Sequence, residues 1–214
     1  MSLSHTLDCE QGIRHIDGPS GKLEAQLNCA DLDSLTMAII CHPHPLHGGS
    51  MQNKVVHTLE KSLHQWGAHT LRFNFRGVGN SQGEYDHGRG EVDDLLAMVA
   101  WTREKIPEVR ILLAGFSFGA YIAIKASRLT ETVQLIAVAP PVNILGFTEP
   151  EQPPCPCLVI QGDQDEIIEA DQVFQWAEKY SNISLLRMDD AGHFFHAKLN
   201  QLQRLLLDNL EPSE

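Results

Sequence analysis

Gly115-Phe116-Ser117-Phe118-Gly119 sets one serine between two glycines at a sharp change in the character of the chain. The run before it, Val109 to Ala114, reads as a buried strand, and Ala120 to Ala126 reads as the start of a helix. A G-x-S-x-G between strand and helix puts the serine on a tight turn, with its Oγ projecting above the sheet edge. The backbone there is expected at positive φ, a conformation retained only where the surroundings enforce it. The flanking glycines keep strand and helix backbones free of colliding Cβ atoms. A helix beginning at the serine aims its first N–H groups at the place where negative charge would develop during attack on a carbonyl.

A serine hydroxyl is a weak nucleophile until a base takes its proton and an acid orients that base. On a strand–turn–helix elbow the partners follow in the order Ser, Asp or Glu, His. Two later loops supply them. Gln161-Gly162-Asp163-Gln164-Asp165-Glu166 follows the apolar run Leu158-Val159-Ile160, and Ala191-Gly192-His193 follows another apolar run. Ser117, Asp165 and His193 therefore stand at three strand C-terminal ends, the edge where open α/β sheets place their sites. Asp163 is the rival acid. Asp165 is preferred because it lies further from the strand, nearer the loop tip, while Asp163 suits capping or bracing. His196 is the rival base. It is expected to begin a helix and to be a surface or supporting residue, whereas His193 follows a glycine in a loop and can move.

Attack on a carbonyl also requires two donors for the oxyanion. One is the backbone N–H of Phe118, the residue after the serine. The other belongs in His42-Pro43-His44-Pro45-Leu46-His47-Gly48-Gly49-Ser50. Pro43 and Pro45 carry no N–H. His44 is the first candidate and Leu46 the second, with the prolines stiffening the loop.

Strand-like and helix-like runs alternate around these loops. Ile13–Ile16 and Lys22–Leu27, joined through Gly18-Pro19-Ser20-Gly21, read as an N-terminal antiparallel hairpin. Further strands are expected over Thr36–Cys41, His69–Phe75, Arg110–Ala114, Gln134–Ala139, Leu158–Gln161 and Ser184–Met188. Helices are expected over Asn53–Trp66, Glu91–Lys105, Tyr121–Leu129, Asp171–Tyr180 and Phe195–Leu210. The pattern predicts one α/β domain over residues 1–214, with a mostly parallel sheet of about seven to eight strands and helices on both faces. Only about 16 proline-rich residues separate Pro140 from Cys157, too few for a helical lid.

Composition narrows the partners. The chain has 214 residues, 43% of them hydrophobic and 21% charged, with a formal net charge of −12. That acidity argues against nucleic acid, whose phosphates call for clustered Lys and Arg, and against an anionic membrane surface. No apolar leader stands in Met1 to Ala25 and no membrane-spanning run appears, so a cytoplasmic location is expected. Five cysteines, Cys9, Cys29, Cys41, Cys155 and Cys157, form no C-x-x-C pair and are expected as buried or idle thiols in a reducing compartment. His42, His44 and His47 invite a metal reading, yet the prolines constrain their spacing and no carboxylate or cysteine joins them, so no metal and no cofactor are expected. Gly77-Val78-Gly79 opens no helix, which argues against a dinucleotide cradle. Arg76 is expected to brace its loop, Trp101 and Tyr121 to be core, and Phe116 and Phe118 to line either the core or an acyl pocket.

The chain resembles the α/β-hydrolase superfamily, and within it the small lidless bacterial hydrolases related to dienelactone hydrolases. The resemblance runs from about residue 10 to 210. It rests on His42-Pro43-His44-Pro45 with Gly48-Gly49, Arg76-Gly77-Val78-Gly79-Asn80-Ser81 with Gly83, Gly115 to Gly119, Gly162 to Asp165, and Gly192-His193. It implies Ser117 as nucleophile, Asp165 as acid and His193 as base. It also implies cleavage of a small-molecule carboxylic ester or thioester through an acyl-enzyme, without a cofactor. Dienelactone hydrolases use a cysteine where this chain has Ser117, so their substrate is not implied. A binding protein that has lost turnover, a peptidase and a metal-dependent hydrolase are the alternatives to test. The sequence leaves the oligomeric state open.

Overall fold

The computed structural model describes residues 9, 12–31, 33–143 and 149–210. Its sheet has eight strands: β1 (Ile13–Gly18), β2 (Gly21–Asn28), β3 (Thr36–Cys41), β4 (His69–Phe73), β5 (Arg110–Phe116), β6 (Gln134–Val138), β7 (Cys157–Gly162) and β8 (Ile183–Met188). Their order across the sheet is β1-β2-β4-β3-β5-β6-β7-β8. Only β2 runs against its neighbours, pairing antiparallel with both β1 and β4; every pairing from β4 to β8 is parallel. The central strands β3 to β7 are apolar almost throughout because both faces are covered.

Five helices make that cover: α1 (Lys54–Trp66), α2 (Gly90–Lys105), α3 (Phe118–Ser127), α4 (Ala170–Glu178) and α5 (Leu199–Asn209). Strand side chains alternate between two cores, as the pleat requires. Met37, Ile39 and Cys41 of β3 pack with α2, α3 and α4. Ala38 and Ile40 of the same strand pack with α1 and α5. Helix α1 begins where the Asn53 side chain accepts the Val55 N–H at 2.8 Å, and it ends at Gly67 in the left-handed region. The eight-stranded, mostly parallel sheet, the antiparallel N-terminal hairpin, the two helical layers and the missing lid are as the sequence predicts. Between Pro140 and Cys157 the described residues form no helix; residues 144–148 lie outside the described set.

Three expectations need correction. The closing helix starts at Leu199, not Phe195, because Phe195 and Ala197 sit at φ 51° and 59°, in the left-handed region, which no right-handed helix accommodates. The helix after the elbow starts at Phe118 rather than Tyr121, so it reaches back to the serine. Cys9 and Cys29 form a disulfide, with Cα atoms 5.8 Å apart, and only Cys41, Cys155 and Cys157 are free, all buried. The reason lies in pairing: Ile13, the first residue of β1, lies opposite Gln26 near the end of β2, so the chain entering β1 and the chain leaving β2 share one end of the hairpin. Sequence spacing alone does not reveal such a cross-strand neighbour. Burial pushes the Cys155 thiol up to about 11 and also raises that of Cys157, so both are poor nucleophiles.

Strand and helix backbones approach closely under the elbow. A Cβ on Gly115 would fall 2.5 Å from the Ala120 nitrogen, and one on Gly119 would fall 2.6 Å from the carbonyl oxygen of His42, at the end of β3. Both neighbours are main chain and cannot swing away. Gly115→Ala is expected to lower stability by about 3 kcal/mol or more, since overpacking here must displace backbone. A urea midpoint equal to that of the parent would show that the elbow is not tightly packed.

Candidate active site

Ser117 lies between β5 and α3 at φ 54°, ψ −121°, outside the helical and extended regions open to ordinary residues. Such a conformation costs on the order of 1–3 kcal/mol. It persists because it is held on both sides. The Ser117 N–H donates to the Val138 carbonyl at 2.8 Å, and the Ser117 carbonyl accepts the N–H groups of Ala120 and Tyr121. Phe118 opens α3, so its N–H belongs to the first turn, whose N–H groups point out of the helix end.

His193 and Asp165 reach the serine from two other loops. His193 Nε2 lies 3.1 Å from Ser117 Oγ, and His193 Nδ1 lies 2.8 Å from Asp165 Oδ2. The carboxylate can only accept, so Nδ1 carries the hydrogen, Nε2 presents its lone pair, and the serine hydroxyl donates to it. His193 is 3% exposed and Ser117 8%, which keeps water from competing for these bonds. Burial alone would raise the Asp165 pKa. The hydrogen bond and charge of His193, with the N–H groups of Ile168 and Ile167, outweigh it and hold the carboxyl below its ordinary value. Those N–H groups reach Asp165 Oδ1 at 2.7 and 2.9 Å. The arrangement is a continuous path for one proton from hydroxyl to imidazole, with a fixed negative charge behind it.

The rival residues stand elsewhere. Asp163 is exposed and contributes its backbone, its N–H donating to the Met188 carbonyl at the end of β8. His196 is exposed in the turn before α5 rather than in a helix. Of the two candidates in the loop after β3, Leu46 turns its N–H to His44 Nδ1 at 3.2 Å, inside the loop. The His44 ring also meets the Tyr85 hydroxyl through Nε2 at 3.1 Å and packs 5.0 Å from the Phe118 ring. Phe116 and Phe118 are buried, one in each core, and Phe116 also backs the His193 ring at 5.1 Å. Tyr121 is buried in the core, and Trp101 packs against it half-buried. Arg76 braces its loop as expected, its guanidinium and N–H all meeting Asp94 at 2.7–3.1 Å.

Sequence reasoning missed several residues that fix this site. His42 is wholly buried; its Nδ1 donates to the Pro43 carbonyl and its Nε2 accepts the Phe75 N–H, which ties the His44 loop to the end of β4. Glu24 of β2 accepts from Asn74 and Asn80, while Asn74 Oδ1 accepts the Met51 N–H, joining the same loop to the hairpin. Glu166 accepts the His193 backbone N–H at 3.0 Å. Gln161, the last polar residue of β7, donates to Asp165 Oδ2 at 2.9 Å and to the Gly162 carbonyl at 3.1 Å. His42, Asn80, Gln161 and Glu166 stand inside runs whose chemistry falls to other residues, and Glu24 and Asn74 stand in no motif; a Gln closing an otherwise apolar strand just before the acid loop is a weak signal. A recess of about 690 Å³ opens at the other end of the sheet, lined in part by the first residues of β3, β5 and β6, and meets none of the site residues.

Three comparisons bear on this geometry. The family model described as serine aminopeptidase, S33 matches residues 44–151. An alpha-beta serine hydrolase homologue from Coxiella burnetii superposes with a TM-score of 0.91 at 46% identity, covering 96% of this chain and 100% of that one. XC6422 from Xanthomonas campestris, described as an a/b serine hydrolase without lid, gives a TM-score of 0.88 at 41% identity over 94% of each chain. The Rickettsia prowazekii (strain Madrid E) protein RP471 is 37% identical over 207 residues, 92% of this chain and 87% of that protein. No helix among the described residues is long and apolar enough to cross a membrane.

The buried His42 also predicts how this region responds to acid. Burial lowers its pKa to about 4 from the ordinary 6.5, the hydrogen bond to Pro43 opposing that and the charge of a protonated His44 adding to it. Between those values the unfolded chain binds a proton that the folded chain refuses, so stability is lost as pH falls. The loss from this side chain approaches about 3 kcal/mol by pH 4. Urea denaturation at pH 7 and pH 4.5 should show it, and His42→Gln should flatten that slope while lowering stability at pH 7.

Proposed function

Since this chain belongs to the α/β-hydrolase superfamily, as a lidless serine hydrolase, we propose that it cleaves carboxylic esters or thioesters of small molecules through an acyl-enzyme on Ser117. The observation that carries this reading is the unbroken chain Ser117 Oγ, His193, Asp165 at 3.1 and 2.8 Å. His193 accepts the hydroxyl proton as Oγ attacks the carbonyl. Asp165 holds the imidazole in the right tautomer and offsets the imidazolium charge. The N–H groups of Phe118 and His44 receive the oxyanion, the latter supported by Leu46 being turned inward. His193 then protonates the leaving alcohol or thiol, and water repeats the sequence to free the acid.

The scheme needs no metal or cofactor. The open approach of a lidless fold suits short or extended acyl groups. Nucleic acid and membrane stand outside this reading because the chain carries a net charge of −12. A cytoplasmic site of action goes with it through the three buried free thiols; the Cys9–Cys29 disulfide pulls the other way. A peptidase is the second reading, favoured by the serine aminopeptidase description of the matching family model.

Turnover of p-nitrophenyl acetate, an acyl thioester and an aminoacyl p-nitroanilide separates these readings. Ser117→Ala and His193→Ala should each remove nearly all esterase turnover, and Asp165→Asn should lower kcat by roughly 10⁴-fold by favouring the wrong tautomer. Full activity in Ser117→Ala would end the proposal. Faster cleavage of the anilide than of either ester would favour the peptidase.

A further inference from the structure

We propose that Gln161 is a positioning residue for the relay, holding the Asp165 carboxylate in the one orientation that serves His193. This inference rests on the reading of Ser117, His193 and Asp165 given above. Gln161 is the penultimate residue of β7 and is 0% exposed. Its Nε2 donates twice, to Asp165 Oδ2 and to the Gly162 carbonyl, at 2.9 and 3.1 Å. Asp165 Oδ2 is also the atom that accepts from His193 Nδ1. The reactive oxygen of the acid therefore has two donors, one from the base and one from the strand beneath it.

The amide cannot be turned the other way. Exchanging its nitrogen and oxygen would set Oε1 against two acceptors, Asp165 Oδ2 and the Gly162 carbonyl, lone pair to lone pair. In the orientation present, Oε1 is buried with no hydrogen-bond partner among the described residues. Buried polar atoms are nearly always satisfied, so an amide that leaves its oxygen unmatched is being kept for its nitrogen. A strand that only needed filling here would be better served by an apolar side chain, like the Val159 and Ile160 that precede it.

The division of labour is clear in the bonds. Ile167 and Ile168 N–H groups fix Oδ1, and Gln161 fixes Oδ2, so the carboxyl plane cannot rotate about its Cβ–Cγ bond. The charged and titratable groups facing this pair are His193 and Asp165 themselves, with Glu166 on the His193 backbone N–H and the Ser117 hydroxyl on Nε2. Removing the Gln161 donor frees the carboxylate to turn and concentrates its charge on His193.

Two substitutions read this out on p-nitrophenyl acetate. Gln161→Leu is expected to lower kcat about 10-fold with KM within about 2-fold, because ground-state binding does not use Asp165. Its acid limb of kcat/KM should move to higher pH by roughly half a unit to one unit, as the carboxylate attracts the imidazolium more strongly. Its thermal midpoint should stay near or above that of the parent, the unmatched carbonyl being gone. Gln161→Glu keeps the shape. The introduced carboxyl, beside Asp165, stays protonated and donating at lower pH, then ionises and repels. Its alkaline limb should fall at lower pH than that of the parent, and this variant carries the test if Gln161→Leu fails to fold. Parental kcat and limbs in both variants, with His193→Ala inactive, would overturn this inference alone. Loss of kcat in step with a falling thermal midpoint and unmoved limbs would also overturn it, by making the role structural. Activity surviving His193→Ala would instead remove the reading beneath it.

Discussion

Everything at this site depends on how closely the first turn of α3 can approach the end of β3. Gly119 lies against the main chain of Cys41 and His42, and Gly115 against Gly119 and Ala120, so strand, elbow and helix meet with no side chain between them. That contact holds Ser117 at its positive φ and brings the N-terminus of α3 beside the loop carrying His44. The parallel register then does the rest. Neighbouring strands β5, β6 and β7 end at one edge of the sheet, and the loops after β7 and β8 reach back over it with the acid and the base. Residues 76 positions apart become hydrogen-bonded because the sheet, rather than any local sequence, sets their distance.

The loops are held more firmly than their glycine and proline content suggests. The His44 loop is tied to β4 by the buried imidazole of His42 and to the hairpin by Glu24 and Asn74. The acid loop grips the base loop three times, through the ring at Asp165, through the His193 backbone N–H at Glu166, and through the Gln164 N–H on the Ala191 carbonyl. Such preorganisation matters because donors and charges fixed before the substrate arrives need no rearrangement as the reaction proceeds.

Much of this was legible in the chain. The elbow glycines, the order of serine, acid and base, and the alternation of buried runs all report local constraints, and the structure places Ser117, Asp165 and His193 together as their spacing implied. The misses have a common cause. Apolar residues continue back from α5 to Phe195, but left-handed turns at Phe195 and Ala197 interrupt the helix there. The Cys9–Cys29 disulfide follows from a strand pairing that spacing does not encode. His42 and Glu24 tie their loops to partners 33 to 56 positions away, which nothing beside them in the chain marks. Gln161 acts on Asp165 only four residues on, but the fold of the loop between them, not the spacing, brings the amide to the carboxylate.

The central claim is that His193 takes the proton of Ser117 so that Oγ becomes a nucleophile. Labelling with a fluorophosphonate probe, followed by mass-spectrometric location of the adduct, tests it most directly. The account predicts one adduct, on Ser117, formed rapidly in the parent and all but lost in His193→Ala. An adduct on another residue, or equal labelling of Ser117 when His193 is removed, would contradict it.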